Sequence, residues 1–176
     1  MRETQYFSAS FDNLVKGITA FVFILFGVIS YLQWNSYGLS EGELPFWIVL
    51  LMSSFFLLIL GISWVLHPSG YSLNPDRLTI HRPLSNIHYR LQEIEKVITP
   101  SNEDLRWTMR TFGNGGLFGI YGKFWNRKFG SMTWYATRKS NFILLELTNN
   151  RRIVITPDDP SMSRLITNFI STRSDA

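Results

Sequence analysis

The chain has 176 residues, a formal net charge of +4 and no cysteine. Disulfides, thiolate metal sites and cysteine nucleophiles are therefore excluded, and nothing in the composition is adapted to an oxidising compartment. Its apolar residues are spread unevenly: no charge occurs between Gly17 and Leu32 or between Phe46 and Leu66, whereas almost all Lys and Arg follow His67, so one chain is built for two solvents.

The stretch 1–13 is a tail whose Phe7 and Phe11 stand at helical spacing with Leu14 just after it. This predicts either a short amphipathic helix on the membrane surface or a frayed end.

Leu14 to Trp34, LVKGITAFVFILFGVISYLQW, is about 21 residues, roughly 31 Å as a helix and enough to cross a hydrocarbon core of ~30 Å. Its apolar run is too long for a signal peptide and no small-x-small cleavage site precedes Trp34, so it is predicted to remain as an anchor. Phe46 to Leu66 has the same length, and its only polar side chains, Ser53, Ser54 and Ser63, can bond back to their own helix. Tyr31, Trp34, Phe46, Trp47 and Trp64 stand at the ends of the two segments, where interfacial aromatics belong, and Lys16 can snorkel to the opposite headgroups. The remaining chain is too short to enclose both segments in a soluble core, so 14–66 reads as a transmembrane hairpin.

The connection 35–45 contains Glu41 and Glu43 and no Lys or Arg, while Arg2 and Lys16 flank one side and Arg77 and Arg82 follow the other. By the bias of basic loops toward the cytoplasm, the loop faces outward and both termini face inward. The expected location is the inner, cytoplasmic membrane, crossed twice.

Residues 67–176 hold all but Arg2 and Lys16 of the 17 basic residues and all but Glu3, Asp12, Glu41 and Glu43 of the 13 acids, leaving this part more basic than the whole. Here the apolar period is two. YSLNPDRLTIHRP is predicted as a hairpin, Asn86 to Arg90 as a short strand, and LQEIEKVI as a strand or a single helical turn. GSMTWYATR and NFILLELTNNRRIVITP add three strands, the last two joined across Asn149-Asn150, which tolerate the positive φ of a tight turn. Asp159 as N-cap, Pro160 as first residue and the stripe Met162, Leu165, Ile166, Phe169 and Ile170 predict a helix over about 160–171. About seven strands closed by one helix suggest a small barrel or bent sheet plugged by that helix.

The ordered set GNGGLFGIYGKF, GSMTWYATR, VITPDDP and the final helix resembles the bacterial pleckstrin-homology-like (PH-like) domains that follow a membrane hairpin. The resemblance covers Tyr71 to Ile170 and implies a mainly-β PH-like fold with an interaction role rather than a reaction. The basic cluster of phosphoinositide-binding relatives is not matched by Arg77, His81 and Arg82, so phosphoinositide recognition is not implied.

No catalytic set stands out. The glycines from Gly113 to Gly122 fit neither dinucleotide nor P-loop spacing: Phe118 breaks the first, and Phe124 after Gly122-Lys123 breaks the second. They are expected to serve turns and bulges. His67, His81 and His88 lack metal-ligand spacing, and Glu93/Glu95, Glu103/Asp104 and Asp158/Asp159 read as strand, loop and cap residues. No cofactor or metal is expected, and no enzyme activity. The candidate lipid- or partner-binding residues are the pairs Arg127-Lys128, Arg138-Lys139 and Arg151-Arg152, with Trp125 and Trp134 nearby. The expected function is a membrane-tethered PH-like interaction or scaffolding module that binds a protein partner or another copy of itself. The alternatives are a sensor of anionic lipid headgroups and, last, an enzyme on a membrane substrate; nucleic acid is disfavoured.

Overall fold

A computed structural model describes residues 4–39 and 46–174. Two helices, α1 (Asn13–Leu39) and α2 (Phe46–Leu66), precede nine strands and a final helix, and one further strand lies ahead of them, β1 (Gln5–Ser8). Both helices are long and apolar enough to cross a membrane, and in each only 6% of the most apolar stretch is buried against the rest of the protein. Neither helix is therefore buried in a core formed by this chain. They meet through Phe26 and Phe56, whose rings lie 4.3 Å apart. The second helix has the predicted bounds, whereas the first continues past Trp34 into the predicted loop. Residues 40–45, with Glu41 and Glu43, lie outside the described residues.

The strands after the hairpin are β2 (Gly70–Leu73), β3 (Arg77–His81), β4 (Ile87–Arg90), β5 (Ile94–Ile98), β6 (Met109–Gly115), β7 (Ile120–Asn126), β8 (Gly130–Ala136), β9 (Ile143–Leu147) and β10 (Arg152–Ile155), followed by α3 (Ser161–Ser174). The stretch LQEIEKVI is both things at once, a 3-10 turn over Leu91–Glu93 and then β5. Among the described residues ten strands form rather than about seven, because the glycine-rich stretch contributes β6 and β7 and the tail before α1 contributes β1. They make two sheets, ordered β1-β2-β3-β4 and β5-β9-β10-β8-β7-β6. The barrel is therefore not closed among the described residues; the arrangement is a sandwich.

The middle of the six-stranded sheet is apolar on both faces, which explains the consecutive apolar residues Ile143, Leu144 and Leu145 of β9. Ile143, Leu145, Leu147, Ile153 and Ile155 point into a core shared with Tyr71, Leu73, Leu78 and Ile80 of the other sheet and Met162 and Ile166 of α3. Leu144, Val154, Met132 and Trp134 point the other way, toward Leu105 and Val15. The Asn149-Asn150 hairpin forms with Asn150 at φ 57°, and Asp159 caps α3 by accepting from the Ser161 N–H at 2.8 Å.

The tail before α1 is neither a surface helix nor frayed. Residues Gln5–Ser8 pair antiparallel with β2, Ser8 opposite Gly70, and Phe7 and Ala9 are buried in the first core. The apolar set Phe7, Ala9 and Phe11 satisfies a period of two as well as Phe7, Phe11 and Leu14 satisfies the helical period. A free edge on β2 decides in favour of the strand. The two helices thus continue two neighbouring strands of one sheet, so Asn13 and Leu66 lie at the same end of the hairpin.

Candidate interaction surface

Both helix ends are fastened to the β domain by side chains that satisfy their orphan backbone groups. At the start of α1, Asp12 Oδ1 accepts from the Val15 N–H at 2.8 Å, an N-cap, while its Oδ2 accepts from the Lys139 N–H at 2.9 Å. At the end of α2 the Tyr121 hydroxyl donates to the Ser63 carbonyl at 2.8 Å, and His67 Nδ1 bonds the Trp64 carbonyl. Burial pushes the Tyr121 hydroxyl pKa up, against the pull of its bonds to Asn114 and Ser63.

Asp158 clasps the strap that carries β1. It accepts from the Ser10 N–H at 2.9 Å, from the Ser8 hydroxyl at 2.9 Å, from the Ser10 hydroxyl, and from Arg138. Partial burial works against its charge, but the bonds from Ser10 and Ser8 and the Arg138 guanidinium outweigh that and hold its carboxyl below the usual range. Tyr71 ties the two sheets together, donating to the Tyr135 carbonyl at 2.6 Å and accepting from the Thr156 N–H at 3.2 Å. Full burial raises its pKa to about 12.

The three predicted basic pairs fall at opposite ends of the six-stranded sheet. Strands β8 and β10 run parallel; Arg127, Lys128, Arg151 and Arg152 gather where they begin, while Arg138 and Lys139 lie where β8 ends, beside the start of α1. One member of each pair is spent internally. Lys128 Nζ meets Asp104 at 2.6 Å, a bond that, with those from Ser101, lowers the Asp104 pKa. Arg138 is held by Asp158, and Arg152 Nε donates to Glu146 at 2.7 Å and its Nη1 to the Phe129 carbonyl at 2.8 Å. Arg127, Lys139 and Arg151 are the exposed members left facing outward.

Sequence reasoning missed the apolar surface between these ends. Among the described residues strand β6 is a sheet edge paired only with β7. Met109 stands opposite Trp125 and Phe112 opposite Lys123; opposed residues share a face. Met109 is 62%, Phe112 77% and Trp125 43% exposed, and Trp107 just before the strand is 76% exposed, with the Arg106 guanidinium 5.4 Å from its ring centre. Of this set only Trp125 was singled out from sequence; the signal for the rest was the alternation Trp107, Met109 before a glycine-rich stretch. Trp134 is instead buried, its ring stacked on Phe124 at 4.8 Å. It lines a cleft of about 360 Å³ together with Leu105, Arg106, Phe124, Lys139 and Phe142.

Among the described residues no three His, Asp or Glu gather as a metal site would need. His81 and His88 each bond a hydroxyl, Ser72 at 2.9 Å and Thr79 at 3.0 Å.

A family model described as Bacterial PH domain matches residues 69–164, more than half of the chain, starting just beyond α2 and ending inside α3. No curated protein and no solved structure matches the chain. The sandwich of two sheets, the terminal helix packed on it and the extent of that match agree with one another: the chain belongs to the bacterial PH domain family, a family of interaction modules.

Proposed function

We propose that this protein is a membrane-anchored interaction module. Helices α1 and α2 cross the cytoplasmic membrane, the domain stands on the inner side, and the free edge of β6 takes up an extended, acidic segment of a partner protein. The observation that carries the reading is the exposed set Trp107, Met109, Phe112 and Trp125 beside an unpaired strand edge. Soluble surfaces seldom leave such a patch bare, and an unpaired edge is a template for a further strand. Lys123, opposite Phe112, and Arg127 beyond Trp125 give the incoming strand its preferred charge. Anchoring in the same membrane raises the effective concentration of both partners, so modest affinity suffices.

The test is photocrosslinking from Phe112 in native membranes, with Thr148 at another exposed turn as control. The expected product is a peptide rich in Asp and Glu, formed from position 112 only and lost on Trp125→Asp. Equal labelling from both positions, or none from 112, sinks the proposal; a crosslink to a second copy replaces the partner with self-association.

A second reading, contact with anionic headgroups, is favoured for Lys139 alone, since its backbone is bonded to the residue that starts α1.

A further inference from the structure

Strands β6, β7 and β8 form an up-and-down meander with two turns of opposite character. The turn at one end, Asn126 to Gly130, carries Arg127 and Lys128; the turn at the other, Gly116-Leu117-Phe118-Gly119, carries no charge or polar side chain. That apolar turn sits against α1. A Cβ on Gly116 would come within 2.5 Å of Ile18 Cδ1, the Phe118 N–H donates to Thr19 Oγ1 at 3.1 Å, and the Phe118 ring meets Phe23 edge-on at 6.1 Å. On its other side the same ring lies 6.3 Å from His67, just beyond α2. The turn is therefore packed along α1, with Phe118 reaching His67 at the exit of α2.

Ile18 to Phe23 lie five to ten residues beyond Asn13, which is about 8 to 15 Å along the helix, inside the stretch long and apolar enough to cross a membrane. Irregular backbone at such a depth is tolerated only if its polar groups are satisfied within the protein. Three of the four N–H groups of the turn have partners inside the protein. The Gly116 and Leu117 N–H groups both donate to Asn114 Oδ1, at 3.1 and 2.9 Å, and Asn114 Nδ2 donates to the Leu117 carbonyl at 2.9 Å. The third N–H, of Phe118, is the one taken by Thr19. Phe118 holds φ at 56° to make this fit, a conformation that costs a bulky residue of order 1 kcal/mol and persists only where surroundings impose it.

From this geometry we infer that the Gly116–Gly119 turn is a third membrane-embedded element. It is immersed beside α1, with Leu117 and Phe118 in contact with the acyl chains of the bilayer. The inference rests on the reading that α1 and α2 span a membrane. It adds that the domain does not hang below the bilayer but enters it, with the meander pointing its charged turn at Arg127 toward water.

The chain has no cysteine, so single labels can be placed without background. Nitroxides at Leu117→Cys, Leu57→Cys and Arg127→Cys in the full chain, reconstituted in phospholipid vesicles, are compared for collision with oxygen, which enters the bilayer, and with a water-soluble nickel chelate. Position 117 is expected to behave like 57, reached by oxygen and shielded from nickel, and 127 the reverse. Nickel access at 117 equal to that at 127, with 57 still shielded, overturns the inference and leaves the anchor standing; nickel access at 57 overturns both. Because Leu117 is only half-buried, its replacement leaves the packing of Phe118 in place, and an unchanged melting curve for this variant certifies the comparison.

Discussion

The Tyr121 hydroxyl and the Ser63 carbonyl are 2.8 Å apart, a single bond by which β7 closes one of the last carbonyls of α2. Without it that carbonyl loses its tie to the β domain, a loss of about 1 kcal/mol. Tyr121→Phe is expected to lower the melting temperature of the protein in mild detergent by an amount matching that loss. An unchanged melting curve would mean that the domain and the second helix are not coupled through this contact. Since burial pushes the Tyr121 pKa up, the bond is expected to persist into alkaline solution.

Asp158 predicts an acid-sensitive clasp. Its pKa in the folded protein lies below the ordinary value of 3.8, so it contributes stability that is fully present above about pH 4 and is lost as pH falls through the folded value. The segment released first is the strap it holds. Hydrogen exchange at the amides of Tyr6 to Ser8 is expected to quicken below about pH 4 while Leu144 and Val154 stay protected. Asp158→Asn should show the fast exchange at neutral pH. Protected strap amides in that variant would exclude the carboxylate as the clasp.

Much of this fold was legible because a period of two or 3.6 leaves few choices. The helix bounds at Phe46 and Leu66, the Asn149-Asn150 turn and the Asp159 cap follow from apolar spacing and turn chemistry. Strand β1 was not legible, since Phe7, Ala9 and Phe11 fit a strand as well as Phe7, Phe11 and Leu14 fit a helix, and its partner β2 lies beyond both membrane segments. Strands β6 and β7 were hidden by their glycines, which depress strand propensity. The basic pairs were visible as charge but not as a site, because only folding reveals that Asp104, Asp158 and Glu146 neutralise one member of each.

Gly113 and Gly122 face each other across β6 and β7 at φ 119° and 125°, and a Cβ on either would come within 2.3 Å of the opposite strand's carbonyl oxygen. Neither strain nor overlap can relax without separating the strands. Gly113→Ala and Gly122→Ala are each expected to cost about 2 kcal/mol or more in thermal unfolding. Gly27→Ala, in α1 with nothing within 4 Å, should be neutral. If the three variants melt together, the two strands do not pair in this register.

The split of the cations along the sheet predicts which of them a membrane can feel. Lys139 stands two residues past Thr137, whose carbonyl accepts from the Asp12 N–H at 3.3 Å, and its own N–H donates to Asp12 Oδ2 at 2.9 Å, whereas Arg151 lies at the opposite end of β8 and β10. Seven residues of β8 separate the two ends, roughly 20 Å at ~3.3 Å per residue, about twice the distance over which physiological salt screens a charge. A basic side chain at an anionic leaflet contributes on the order of 1 kcal/mol. In vesicles rich in phosphatidylglycerol, Lys139→Glu should therefore lower the melting temperature relative to the unmodified chain, and the difference should vanish in wholly zwitterionic vesicles and at high salt. Arg151→Glu should melt alike in both. Lipid-dependent loss at Arg151 and none at Lys139 would reverse the orientation assigned to the domain, placing its charged turns and not the Gly116–Gly119 turn against the bilayer.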